Sequence, residues 1–141
     1  MRKLSLAVLA LVALAIVYML HDGGATAEVA PPLSPTACRT MDEIFRPMGV
    51  RGKQQLLKHL IDASDRLALQ SNGQLREAAV AHAAYVRLLY AEAQREAPGD
   101  TRPAQSTLPQ QTHTDGLKAY DTIRRAAWTS CGLSYLAPAA S

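Results

Sequence analysis

The residues of this chain with the most predictable chemistry are its two cysteines, Cys38 and Cys131. An even number of cysteines in an oxidising compartment is typical of a disulfide. A bond between these two would close a loop of 94 residues. The alternative is a catalytic thiolate, but neither cysteine has a CxxC partner or a histidine close by in sequence to activate it. The pattern therefore predicts a Cys38–Cys131 disulfide.

His82 is the next candidate, because it lies in the middle of the strongest apolar stripe in the chain. It could be a metal or haem ligand directed into a helical core. It could equally be a buried histidine bonded to a tyrosine or to a backbone carbonyl. No CxxCH motif or second ligand at helical spacing accompanies it, which favours the structural interpretation. His59, Asp62 and Asp65 share one helical edge and are expected to form a solvated polar face. We predict no metal site and no cofactor.

Catalytic motifs are missing from the sequence. It contains no GxSxG elbow, no HExxH and no glycine-rich phosphate loop, and each of these is a spacing that a known reaction requires. Single Ser, His and Asp residues on helices carry no weight alone. We therefore expect a protein that is not an enzyme.

Four helices are expected to position these residues. A short one is predicted to begin at a capping box, Thr40 to Glu43, and to end before Pro47. Longer ones follow at about 51–70, 74–97 and 114–135, each with apolar residues at i, i+3, i+4 and i+7. For the last helix the predicted inward stripe consists of Leu117, Tyr120, Ile123, Ala127 and Cys131.

These elements predict an all-α fold: a small bundle of three long helices plus one short N-terminal helix, preceded by an N-terminal apolar export helix. The bundle domain is expected to span 38–136 after a proline-rich spacer at 28–37. It includes a long polar loop at 98–113 and is followed by a frayed tail at 137–141.

The N-terminus carries an export signal. Arg2 and Lys3 precede a 17-residue apolar run from Leu4 to Leu20, and such cations stay on the cytoplasmic side. Residues 1–27 are a signal peptide or a signal-anchor helix. Ala25 and Ala27 form a small-x-small site for cleavage before Glu28, whereas the run is also long enough for a short membrane span. The expected location is the periplasm, either soluble after cleavage or anchored to the inner membrane by residues 4–20.

Composition excludes one class of partner. The net charge is +3 in 141 residues, and no basic stripe with interleaved aromatic residues is present, so nucleic-acid binding is not expected. The remaining polar and aromatic residues suggest a surface for another envelope protein. The candidate interface residues are Arg102, Gln105, Gln110, Gln111, His113, Tyr90, Trp128 and Tyr135.

These features favour an exported, non-enzymatic helical protein that acts through protein–protein binding. The leading hypothesis is an accessory or assembly subunit of a cell-envelope complex of the secretion or conjugation type. One alternative is a periplasmic inhibitor or immunity protein that neutralises a toxin or enzyme, and another is a cofactor-binding helical bundle. All three are analogies at the level of architecture.

Overall fold

The computed structural model describes residues 32–96 and 106–139, and all regular secondary structure in this part of the chain is helical. Four α-helices follow one another, and a short 3₁₀ turn, Ser134–Leu136, comes after the last of them. No strand occurs among the described residues, so the predicted all-α class is confirmed. The helices are α1 (Pro35–Phe45), α2 (Lys53–Gln70), α3 (Gly73–Arg95) and α4 (Gln110–Cys131).

Helix α1 begins five residues earlier than predicted. Ser34 is its N-cap, and its hydroxyl oxygen accepts a hydrogen bond from the backbone N–H of Ala37 at 3.1 Å. Pro35 fits the first turn because a proline there loses no helical hydrogen bond. The capping box predicted at Thr40 was wrong, since Thr40 lies buried in mid-helix. The spacer predicted at 28–37 therefore ends at Ser34, and its first four residues lie outside the described part.

Helix α4 also begins earlier than predicted, at Gln110 instead of Thr114. Thr114 does not cap the helix, because its hydroxyl donates to the carbonyl of Gln110 at 3.1 Å. The helix ends at Gly132, whose φ of 68° gives the left-handed C-cap that glycine favours. The long loop predicted at 98–113 therefore ends at Pro109, and residues 97–105 are not described.

The four helices form a ring in which each packs against its neighbours in sequence and α1 packs against α4. The diagonal pairs stay apart, since no Cα of α2 lies within 8 Å of a Cα of α4. This is the arrangement of a four-helix bundle. Because α1 has 11 residues and α3 has 23, α1 covers only part of the length of the other three.

The core consists of two clusters that reflect this difference in helix length. The larger lies where all four helices meet, and Met41, Leu67 and Ile123 are its largest fully buried hydrophobic members. The smaller is built around Leu57 and Val86. Alanine fills much of the space between helices, which allows their backbones to pack closely.

The Cys38–Cys131 disulfide is present and joins α1 to the last residue of α4, with 5.5 Å between the two Cα atoms. Both cysteines pack against the larger core cluster. The disulfide predicted from the sequence is therefore confirmed in the structure. It fastens the short first helix to the end of the chain's last long helix.

His82 is buried, as the structural interpretation of its position predicted, but its partner differs from the expected ones. The Ser64 hydroxyl donates to the carbonyl of Leu60 at 2.7 Å, so its oxygen accepts from the Nδ1–H of His82 at 2.8 Å. The imidazole also lies beside the ring of Tyr120, with 5.7 Å between the ring centroids. Burial lowers the pKa of His82 to about 4, so the ring is neutral at pH 7.

The inward face of α4 differs from the predicted stripe by a small rotation. Gly116 and Ala119 are buried, whereas Leu117 is 61% exposed and Tyr120 is 37% exposed. The reason is the aromatic ring of Tyr85 on α3, which lies directly against Gly116. Only a residue without a side chain leaves room for that ring, so Gly116 and Ala119 face inward while Leu117 and Tyr120 are exposed.

Replacing Gly116 by alanine is expected to destabilise the protein. A Cβ atom there would overlap the ring carbons of Tyr85, including Cγ at the base of the ring. Overpacking of this kind costs about 1–3 kcal/mol, and alanine in a helix offsets at most about 1 kcal/mol of it, so we expect a net loss of up to about 2 kcal/mol. Urea denaturation monitored by circular dichroism measures the difference.

The matched control is Gly116→Ala in a Tyr85→Ala background. There the overlap is gone, and alanine at position 116 is expected to raise the free energy of unfolding by up to about 1 kcal/mol through helix propensity alone. The same loss of stability in both backgrounds would contradict this account of the contact.

The export segment, the cleavage site at Ala25, Ala27 and Glu28, and the interface candidates Arg102 and Gln105 lie outside the described residues. Within the described ranges, no helix is long and apolar enough to cross a membrane. The start of the tail, at 137–139, has no helical structure.

Candidate functional site

The predicted interface residues that are described are spread along α4 and over α3 and the 3₁₀ turn. Gln110 and Gln111 are exposed in the first turn of α4, whereas Trp128 lies near its last turn. These positions are about 27 Å apart along the helix axis, at 1.5 Å per residue. Tyr90 packs against the smaller core cluster and is half-buried. The structure thus separates these candidates instead of gathering them.

Tyr135 has a structural role that the sequence did not suggest. Its hydroxyl donates to the carboxylate of Asp42 on α1. The guanidinium of Arg46 lies 4.0 Å from the centroid of its ring, in the geometry of a cation–π contact. Tyr135 therefore fastens the 3₁₀ turn to α1 and reinforces the connection that the disulfide makes nearby in the chain.

His113 belongs to a chain of hydrogen bonds between the start of α4 and the end of α3. Its Nδ1 accepts from the hydroxyl of Tyr85 at 2.9 Å, and its Nε2–H donates to Ser106 Oγ at 3.0 Å. The Ser106 hydroxyl in turn donates to the Glu92 carboxylate at 2.7 Å. Thr107 donates to the same carboxylate through both its backbone N–H and its hydroxyl.

This series of hydrogen bonds places Ser106 beside His113, as in a catalytic Ser–His dyad, but the hydrogen-bond donor and acceptor are exchanged. A nucleophilic serine gives its proton to the histidine, whereas the Ser106 proton is directed to Glu92 and the histidine is the donor. Hydrogen bonds from Thr107 and Ser106 lower the pKa of Glu92, so this carboxylate is a weak base. The network positions the segment that leads into α4.

A cleft of about 410 Å³ lies beside this network. Its apolar wall is formed by Leu57 and Leu89, and the ion pair between Lys53 and Glu96 lies at its edge, with 2.7 Å between Nζ and Oε1. In the described part of the chain, no three His, Cys, Asp or Glu side chains are placed to hold a metal ion. The cleft combines two aliphatic side chains with a charged rim.

The outward face of α3 carries a regular series of side chains. Side chains at 77, 81, 84, 88, 91 and 95 follow one another at intervals of four and three residues, the spacing of a coiled-coil seam. All are exposed except Ala91, which is half-buried. We call this set the outer seam, and its members are Glu77, Ala81, Ala84, Leu88, Ala91 and Arg95.

The outer seam presents apolar side chains to solvent on the helix that lies between α2 and α4. Leu88 is 44% exposed, and Val80, on the flank of the seam, is 54% exposed. Opposite them, Ala79, Ala83 and Val86 are buried in the bundle. Helix α3 is therefore apolar on two faces, and a helix normally buries each apolar face against another element.

Sequence reasoning missed the outer seam because the inward stripe of α3 is the stronger signal. The second spacing of four and three residues, with a charge at each end and apolar residues between, was the signal that could have revealed it.

The chain matches no known protein family, and no curated protein or solved structure is similar to it.

Proposed function

We propose that this chain is an exported, non-enzymatic helical protein that works by binding another protein through the outer seam of α3, as an accessory or assembly subunit of a cell-envelope complex. The single observation that carries this proposal is the exposed apolar face of a helix that is already part of a bundle. Such a face is typical of interaction surfaces. A groove that receives an amphipathic helix is a common form of recognition.

The length of the outer seam favours an assembly subunit over the alternative of an inhibitor. From Glu77 to Arg95 it runs about 27 Å along the helix, at 1.5 Å per residue. A surface of this shape packs side by side with another helix. An inhibitor that blocks an active site instead inserts a loop or a helix end. The disulfide agrees with export, because such bonds persist in oxidising compartments.

The test is thiol labelling of the full chain in intact cells. Single cysteines are introduced by Ala84→Cys on the outer seam and by Lys118→Cys on α4, where the lysine side chain is 72% exposed. With a maleimide that does not cross the inner membrane, we expect rapid labelling at position 118 and slow labelling at position 84. Labelling at neither position until the inner membrane is opened would contradict export, and equal labelling at both would contradict binding through the seam.

A further inference from the structure

We propose that the protein bound on the outer seam is a second copy of this chain, packed antiparallel so that Glu77 of each copy faces Arg95 of the other. This inference rests on the proposed function, because it names the partner of the same surface. It follows from a symmetry in the order of residues along the seam.

The pairing is set by a twofold axis at the midpoint of the seam. Residue 86 is midway between 77 and 95. A twofold axis at this level, perpendicular to the helix axis, makes the α3 helix of the second copy run in the opposite direction. Each position then faces the one equally far on the other side of the midpoint. Glu77 faces Arg95, Ala81 faces Ala91, and Ala84 faces Leu88 of the other copy. All six members are paired in this register.

The paired residues are complementary in size. Twice along the interface, a leucine from one copy meets an alanine from the other, so that each large side chain has a small one opposite. The other apolar pairs are alanine with alanine, and the two end pairs are Glu with Arg. Small residues allow two helices to approach to about 8 Å, the close end of the usual range of 8–10 Å. An interface of this composition is narrow and closely packed, and the exposed Val80 adds apolar area at its flank.

The charges at the two ends of the seam favour the antiparallel orientation, and they favour a second copy of this chain as the partner. In that orientation both ends of the interface carry a Glu–Arg pair. A parallel pair of the same helices would place Glu77 against Glu77 and Arg95 against Arg95, and like charges at flanking positions select against an orientation. An unrelated helix would match this pattern only if it carried the opposite charge at each end in the same spacing, which a second copy does automatically.

Between Ala81 and Ala91 of α3, Arg87 is the only Asp, Glu, Lys or Arg, and it lies one position before Leu88. Two copies would bring two such arginines close to each other. However, the guanidinium of Arg87 is paired with the carboxylate of Asp65 on α2 of the same chain, so each copy presents a neutralised pair at this point. The centre of the interface therefore does not carry an unbalanced like-charge contact.

Charge exchange tests the pairing in the purified full chain by sedimentation velocity. Glu77→Arg and Arg95→Glu each convert two Glu–Arg pairs into like-charge pairs, so each variant alone is expected to raise the dimer dissociation constant about tenfold. Mixed in equal amounts, the two variants form a heterodimer in which every contact is again Glu with Arg. The dissociation constant of this heterodimer is then expected to equal that of the dimer of the unaltered chain.

The control is Lys118→Glu on α4, which changes charge on an exposed surface away from the seam and is expected to leave association unchanged. Association through the N-terminal apolar segment would be insensitive to both single variants. A full chain that remains monomeric, single variants that associate as the unaltered chain does, or a mixture that does not recover would each overturn the pairing.

Orientation is tested by disulfide trapping between two variants. An Ala84→Cys copy mixed with a Leu88→Cys copy is expected to form a mixed disulfide faster than either forms one with itself, whereas a parallel pair would trap position 84 with position 84. These results are separable from the proposed function. If position 84 is protected in cells but no copies pair by charge exchange or trapping, another protein covers the seam and only the second-copy inference fails.

Discussion

Removal of the Cys38–Cys131 disulfide is expected to lower the free energy of unfolding by about 4–5 kcal/mol. The bond closes a loop with a sequence separation of 93 residues, which is nearly the whole described bundle. Without the bond, the unfolded chain can adopt many more conformations, and this gain in entropy favours unfolding. Typical domains have a net stability of about 5–15 kcal/mol, so a loss of this size removes a large fraction.

The measurement is urea denaturation of three samples of the full chain: oxidised, reduced, and the Cys38→Ala/Cys131→Ala double variant. The reduced chain and the double variant are expected to unfold at similar, much lower urea concentrations. Reductant should have no further effect on the double variant, which serves as the control. An unchanged midpoint on reduction would mean that the tertiary contacts of α1 and α4 hold the bundle without the bond.

Acidification below pH 6.5 is expected to destabilise the bundle by up to about 3 kcal/mol through His82 alone. Its pKa is about 4 in the folded protein because burial penalises the charged imidazolium, compared with about 6.5 in the unfolded chain. Between these values the unfolded state binds a proton that the folded state does not. The contribution of His82 to stability is therefore fully present above pH 6.5 and is lost as the pH falls towards 4.

This dependence can be isolated with a His82→Asn variant, since asparagine keeps a side-chain donor for Ser64 but does not titrate. Unfolding free energies at pH 7, 5 and 4 are compared between the variant and the unaltered chain. Carboxylates such as Asp121, whose pKa is lowered mainly by the hydrogen bond from Arg124, titrate in both proteins and cancel in the difference. A difference that is independent of pH would show that His82 is not buried as a neutral ring.

The parts of the fold that the sequence predicted are those set by strong periodicity and by special residues. The inward stripe of α3 is long, and His82, predicted to lie in its middle, is buried together with Ala78 and Val86. The end of α1 before Pro47 and the pairing of Cys38 with Cys131 follow from the chemistry of proline and of paired thiols. None of these depends on how neighbouring helices meet.

The parts that were not predicted depend on contacts between helices. The rotation of α4 results from the ring of Tyr85 meeting Gly116, and no pattern within α4 alone contains that contact. At the start of α1, both Ser34 and Thr40 are acceptable caps, and burial of Thr40 decides between them. The outer seam was missed for a similar reason, because a helix with two apolar faces shows two overlapping periodicities.

The central claim is that the outer seam of α3 is covered by a protein in the cell envelope. The measurement that tests it most directly is the ratio of maleimide labelling rates at Ala84→Cys and Lys118→Cys, first in intact cells and then after denaturation. We predict a severalfold slower rate at position 84 in cells and equal rates in denatured protein. Equal rates in both conditions would contradict the claim, because a seam open to a small reagent has no protein bound to it.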